Sequence, residues 1–328
     1  MAKFKFHSVG QGLFYSGKIN NFNFIFDIGS LNKTYLQREI NSYVKHVLGQ
    51  HSDVDYVILS HLDKDHISGL IYLMTKLYKT QNKVKYVVLP YIPIFNSLYL
   101  LLRKKGVSVY TINENNLNAN SLSQLNKQFQ AVWKFSVFYV RPSQVNTNAI
   151  NTLSHSVTNV NGPLKKGLTK SIYNNLVLSP LWSEDDLEKI QQVFDKLTGK
   201  QNRNTASLNL VHGPITKNNP LITKATVLTG DSDWQTNGNI YMSGWLKKQM
   251  NSLSDVQTFQ VPHHGSINNW NLSLNWAQKH GFANITSVFT TGNYMRWNHP
   301  NQHVILSLSN CTKNFEIVDA THDYNYKI

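Results

Sequence analysis

The chain has 328 residues, enough for one large domain or two small ones with an ample core. Its one cysteine, Cys311, excludes an internal disulfide and a thiolate metal cage. No run of roughly twenty apolar residues marks a membrane-spanning helix; the longest apolar stretch, 86–102, is broken by Pro90, Pro93 and Asn96. The formal net charge of +14 favours a polyanionic partner, because neutralising phosphates releases counterions. The competing explanation is a genome biased toward Lys and Asn, since the positive groups are spread along the chain rather than packed into one block. The start, Met1 to Phe6, reads directly as a strand with no signal-peptide core, so a cytoplasmic location is the expectation.

Residues 4–30 alternate Phe4/Phe6 and Phe22/Phe24/Phe26 with polar neighbours, a hairpin pattern closed by Asp27-Ile28-Gly29-Ser30. Residues 34–50 carry Tyr35, Ile40, Tyr43, Val44 and Val47 at helical spacing, with Gly49 as the stop. Val54 to Ser60 is a strand, 67–80 an amphipathic helix, 84–89 a strand, 96–105 a helix and 107–112 a strand. This β-α-β-α-β order implies a layered α/β sandwich. Residues 113–135 read as loop plus a hairpin ending in 133–140, and 143–182 as irregular. Ser183 caps a helix that runs to Gly199. Strands resume at 208–212, 225–229, 258–261 and 287–291, with helices near 244–253 and 272–280.

Three strand-like runs end in residues that bind metals. Val57-Ile58-Leu59 leads into Ser60-His61-Leu62-Asp63-Lys64-Asp65-His66, Val227-Leu228 into Thr229-Gly230-Asp231, and Phe259-Gln260-Val261 into Pro262-His263-His264-Gly265-Ser266. Two imidazoles and two carboxylates crowded at 61–66 are costly to bury unpaired. A divalent cation removes that cost, since imidazole nitrogen and carboxylate oxygen both ligate zinc or manganese. The bland alternative, a solvated loop with incidental histidines, fits one such segment better than three. Around the paired histidines, Pro262 keeps Val261 extended. Strand alternation would then send His263 and His264 to opposite faces.

The pattern resembles the metallo-β-lactamase superfamily, and most closely the hydrolase domain of the ComEC-type DNA-uptake proteins and their stand-alone relatives. Val9-Gly10-Gln11-Gly12, Phe26-Asp27-Ile28-Gly29, the HxDxDH run at 61–66, Asn204 to Leu208, Thr229-Gly230-Asp231, the PHHGS run at 262–266 and Asn298-His299-Pro300 follow one another in family order. The chain departs from that branch at His7 and lacks its membrane channel, so DNA uptake is not implied. Residues 113–203 fit the branch poorly and read as a helix-bearing insertion within a single domain spanning 1–328. The resemblance implies an αββα sandwich of two mixed β-sheets flanked by helices. It implies one or two divalent ions held by His61, Asp63, Asp65, His66, Asp231 and His263, with Asp231 bridging. Asp63 stands where most of the superfamily has histidine, and the third histidine of the first metal has His212 as its one candidate. Oxygen-rich sites favour Mn or Mg over Zn, so a single tight ion and a Mn-preferring pair both stay open.

Asp65, Asp231, His264 and His299 are the expected catalytic residues, with His264 either hydrogen-bonding to the ligands from behind or facing substrate, and His299 protonating a leaving oxygen or binding phosphate. Asp27 reads as a carboxylate that orients the motif imidazoles. The expected function is metal-dependent phosphodiester hydrolysis, with nucleic acid as substrate and partner and no membrane. The alternatives are a small-molecule hydrolase acting on cyclic nucleotides, choline phosphates or lactones, and a non-catalytic nucleic-acid-binding module.

Overall fold

Alternation along the first strand sets the layers. In β1 (Ala2–Phe6), Phe4 and Phe6 are buried while Lys3 is exposed, so one face meets a core and the other meets solvent. The computed structural model that carries this strand describes residues 1–49, 52–90, 102, 106–112, 132–139, 207–216, 218–235, 238–270, 276–292 and 298–328. β2 (Phe14–Ile19) and β3 (Phe22–Ile28) complete an antiparallel meander with β1. All of β3 is buried, because it is covered on both faces. β4 (Val54–Ile58), β5 (Val84–Pro90) and β6 (Ser108–Ile112) then add in parallel.

The second sheet contains β7 (Trp133–Tyr139), β8 (Leu208–Pro214), β9 (Ala225–Leu228), β10 (Val256–Gln260), β11 (Ile285–Thr290) and β12 (Thr312–Val318), in the spatial order β12-β11-β10-β9-β8-β7. The last strand, β13 (Tyr324–Lys327), crosses back to the first sheet and pairs with β1, giving the order β13-β1-β2-β3-β4-β5-β6. Both sheets are mixed, with parallel runs β3 to β6 and β9 to β12.

Three apolar clusters hold four layers. Between the sheets lie Phe4, Phe6, Tyr15, Phe24, Phe26, Phe135, Leu210 and Val288. Each such side chain contributes about 1.5–3 kcal/mol by leaving water. On the outside of the first sheet, α1 (Lys33–Ser42) and α3 (Leu70–Lys79) bury Leu36 and Ile40, and Leu70, Leu73 and Leu77. On the outside of the second, α4 (Gly238–Gln249) and α6 (Gln302–Leu308) bury Met242 and Leu246, and Val304 and Leu308.

Several elements differ from the sequence reading. The helix expected over 34–50 changes winding at Tyr43 and finishes as a π-helix, Tyr43–Leu48. The helix expected at 67–80 is two pieces, α2 (Lys64–Ile67) and α3, separated at Ser68-Gly69. A Cβ at Gly69 would lie 2.8 Å from the Ile28 carbonyl oxygen, so glycine lets α3 pass close over the end of β3. The helices expected near 244–253 and 272–280 are α4, which starts earlier, and the short α5 (Trp276–Lys279). The strand within 133–140 pairs with distant β8 and is part of the second sheet. The expected helix at 183–199, the helix at 96–105 save for Leu102, and the rest of 113–203 fall outside the described residues.

The buried polar pair behind β1 makes the fold acid-sensitive. His7 Nδ1 lies 3.3 Å from Glu39 Oε2, and its Nε2 lies 2.8 Å from Ser16 Oγ. Burial pulls His7 down to about 4, outweighing Glu39, which raises it. Burial would raise Glu39, but His7, Lys5 and Arg38 hold it at about 2. Folding therefore favours neutral His7 and ionised Glu39. The His7 contribution is complete above about 6.5 and is lost as the pH falls toward 4; the Glu39 contribution is lost between about 4.5 and 2. Thermal melts should fall steadily as the pH drops below 6.5, and His7→Gln should flatten the upper part of that fall. A melting temperature unchanged from pH 7 to pH 4 would contradict this.

Candidate metal centre

The parallel strands of both sheets end at one place. β4 continues through Leu59 into Ser60 and His61, β3 ends at Asp27 and Ile28, β9 leads to Asp231, and β10 leads to His263 and His264. Ligand sites of open α/β sheets form at such carboxyl ends. Asp27 is fully buried and sits in the left-handed region at φ 53°, uncommon for a residue with a side chain. That conformation places its carboxylate under the motif. Oδ1 accepts from the Ser60 amide at 2.6 Å, and Oδ2 accepts from Ser60 Oγ at 2.6 Å and from His66 Nδ1 at 2.8 Å.

Asp231 follows Gly230, where φ is +54° and a Cβ would lie 2.5 Å from Ser60 Cβ and Oγ. Glycine is therefore required where the two sheets meet. The Gln260 side chain clamps this turn. Its Oε1 accepts from the Thr229 and Gly230 amides at 2.7 and 2.8 Å, and its Nε2 donates to the Gly230 carbonyl at 3.1 Å.

Four imidazoles surround Asp231 with the same polarity. His66 Nδ1 donates to Asp27, His264 Nδ1 to the Thr290 carbonyl and His263 Nδ1 to Asn269 Oδ1. Ser60 Oγ gives its proton to Asp27, so it accepts from His61 Nδ1 at 2.9 Å; Ser207 Oγ lies 3.2 Å from the same nitrogen. With Nδ1 the outward donor, each Nε2 faces inward, where a neutral ring offers its lone pair. His66 and His264 Nε2 lie 3.1 and 3.9 Å from Asp231 Oδ1, and His61 and His263 Nε2 lie 3.8 and 3.6 Å from Oδ2. Asp65 Oδ2 is 3.2 Å from His264 Nε2, and Asp63 Oδ2 is 3.9 Å from His61 Nε2.

Lone pairs facing carboxylate oxygens repel unless a cation lies between them. His61 Nε2, His66 Nε2 and Asp231 Oδ1 are buried and make no hydrogen bond. One ligand atom from each of Asp65, His66, Asp231 and His264 falls within 4.8 Å of the others, a donor set that could hold a divalent ion. The field is that of a cation site. Burial would lower His66, but Asp231, Asp27 and Asp65 raise it well above the ordinary imidazole range. Burial would likewise raise Asp231, but His66, His263 and His264 hold it well below the usual carboxylate range. His61, dominated by burial, is pulled down to about 4.

The structure therefore brings His61, Asp63, Asp65, His66, Asp231, His263 and His264 together. His299 stands at their edge, its ring 5.9 Å from His263 and 6.3 Å from His264 by centroids. Its Nδ1 is buried without a hydrogen-bond partner, and burial followed by the neighbouring imidazoles lowers it to about 4. The paired histidines do not alternate between opposite faces as strand geometry would require. Residues 262–265 form a tight turn in which His263 and His264 are both left-handed, at φ 48° and 58°. Both imidazoles thus face Asp231, and His264, rather than His263, belongs to the four-residue group. Such backbone costs about 1–2 kcal/mol per residue; the His263 amide bonded to the Gly230 carbonyl at 3.0 Å helps hold it. His212 is elsewhere. It lies between the sheets among Phe4, Phe24 and Phe135, with its Nε2 2.9 Å from the Tyr15 hydroxyl.

Sequence reasoning missed Ser60, Ser207, Asn269 and Gln260. The signal for Gln260 was a glutamine inside an otherwise apolar strand end, where a buried amide must be satisfied.

Two mixed sheets flanked by helices, with the site at their shared strand ends, define the metallo-β-lactamase fold. The chain is similar to the metallo-β-lactamase fold protein YhfI from Bacillus subtilis, at 10% identity and TM-score 0.50, over 99% of this chain and 100% of that one. Igni18, a metallo hydrolase from the hyperthermophilic archaeon Ignicoccus hospitalis, aligns over 99% of both chains at 10% identity and TM-score 0.47. A long-form RNase Z from yeast aligns at 10% identity and TM-score 0.41, over 99% of this chain and 47% of that one. At these identities the likeness concerns the fold. No protein-family model and no curated protein matches the sequence.

Two outcomes follow from this geometry. Asp27→Asn should weaken divalent-metal binding about 10- to 100-fold, because His66 and Ser60 lose the charge that orients them. Titration with Mn or Zn checks this, with circular dichroism confirming the fold; wild-type affinity would contradict it. His264→Ala should lose more bound metal than His299→Ala. Equal metal content in the two variants would remove His264 from the centre.

Proposed function

We propose that the chain is a metal-dependent hydrolase that cleaves phosphodiester bonds in DNA or RNA, a stand-alone relative of the ComEC-type hydrolase branch. The observation that carries this reading is the convergence of four imidazole Nε2 atoms on the two oxygens of one buried carboxylate, Asp231. In this reading Asp65, His66, His264 and Asp231 would hold one ion, and His61, Asp63 and His263, with Asp231, would be the donors for a second. Mn or Zn suits this mixture of imidazoles and carboxylates, with Mg the third choice.

When bound, such an ion would supply an activated water and would offset negative charge on the phosphate. The chain's own residues do the rest. Asp27, Ser60, Asn269 and the Thr290 carbonyl fix four imidazole tautomers, so that no proton blocks the inward nitrogens. His299, half-buried beside His263 and His264, is positioned to donate a hydrogen bond to a phosphate or leaving oxygen. The net charge of +14 supports a polyanionic substrate over a small neutral ester. We place the whole of 1–328 in one cytoplasmic domain. Among the described residues no helix is long and apolar enough to cross a membrane.

The test is a nuclease assay with Mn, Mg and Zn on single- and double-stranded DNA and RNA. Asp65→Ala should reduce turnover about a thousandfold, the equivalent of several kcal/mol of transition-state stabilisation. Equal turnover by wild type and Asp65→Ala would sink the hydrolase reading. Metal-dependent turnover confined to a small diester would favour the small-molecule alternative.

A further inference from the structure

The first sheet carries an uncompensated basic row at the end of its strands away from the metal centre. Register places Lys327 of β13, Lys3 of β1 and Lys18 of β2 directly beside one another. Lys3 and Lys327 are exposed, on the face of the sheet opposite the buried Phe4 and the half-buried Tyr326. Like charges directly opposite on neighbouring strands are destabilising, so three in a row call for a reason. The same row continues through Asn23 to Asp55, where a lysine does find its partner: Lys85 Nζ lies 2.7 Å from Asp55 Oδ1. Lys5, one pleat along, is matched by Glu39 and Asp323. Among the described residues no carboxylate pairs with Lys3, Lys18 or Lys327.

The row does not lie on a flat surface. Lys3, Lys5 and Lys18 line a cleft of about 440 Å³ whose other walls include Ser16, Asn20, His46 and Asn325. Lys18 Nζ donates to the Val47 carbonyl at 3.3 Å, which holds it at the wall. A concave site with unmatched ammonium groups and flanking side-chain amides suits a phosphate-bearing ligand. The row is level with Asn23 in β3, about five residues before the end of that strand at Ile28, or about 17 Å away. That is about five steps of a nucleic-acid strand.

We propose that the cleft lined by Lys3 and Lys18, with Lys327 beside Lys3 on the neighbouring strand, is a second phosphate-binding site, which grips the backbone of a nucleic-acid strand away from the metal centre. This rests on the nucleic-acid reading above, but its test reads binding alone. Lys3→Gln/Lys18→Gln/Lys327→Gln is compared with wild type and with Lys79→Gln/Lys83→Gln/Lys313→Gln, which removes equal charge from other exposed positions. The probe is a fluorescein-labelled 20-nucleotide single strand, titrated in chelator over a range of salt. The first variant should lose about tenfold in affinity, and its salt slope should shrink by about 0.7 for each phosphate contact removed. The control variant should lose much less, and turnover of a small phosphodiester by the first variant should stay at the wild-type level. Unchanged affinity and slope, or equal loss in both variants, overturns the proposal. Lost binding of inorganic tripolyphosphate with intact binding of the strand overturns the nucleic-acid assignment. Absence of nuclease activity, with these binding differences present, would count against the hydrolase reading and leave the cleft standing.

Discussion

A buried carboxylate with four imidazole nitrogens aimed at it is a costly arrangement, and the rest of this molecule is organised around holding it. Asp231 could be relieved by protons on its neighbours or by a cation between them. The raised His66 and His264 report the first route in the absence of any other cation. The outward bonds of the imidazoles favour the second. Every Nδ1 is committed to a fixed acceptor, so the lone pairs all face inward. A single groove between two sheets that end at the same level is the simplest frame for such convergence. The parallel runs β3 to β6 and β9 to β12 supply it.

That frame also explains where strain is tolerated. Asp27, His263 and His264 all occupy left-handed backbone, and all three touch the centre. A regular strand would turn every second side chain away from the groove. Leaving the strand geometry at these positions lets adjacent residues serve one site. The surrounding bonds, such as those of Gln260 to the Thr229-Gly230 turn, keep the departure in place.

The strands and the motif positions were legible because they depend on local patterns. Apolar runs ending in polar clusters predict β4, β9 and β10, and the short spacing from His61 to His66 already implies a shared site. Asp27 was legible as an orienting carboxylate because it closes a strand just before the motif. The partnership of β1 with β13 was not, since the chain must return across some 320 residues to make it. The roles of Ser60, Ser207 and Asn269 depend on which side chains meet across the groove, which local spacing does not encode. The paired histidines misled for a sharper reason. Proline before them signals extended backbone, and nothing in their sequence announces two consecutive left-handed residues.

The central claim is that the Asp231 centre is a divalent-metal site built from imidazole and carboxylate alone. Metal analysis of the purified wild-type protein, with X-ray absorption at the edge of the metal found, tests it most directly. The account predicts a stoichiometric divalent ion with a nitrogen and oxygen coordination shell, several imidazoles among the donors and no sulfur. Protein that contains no such ion and takes up neither Mn, Zn nor Mg on titration, or an ion bound through Cys311, would contradict it.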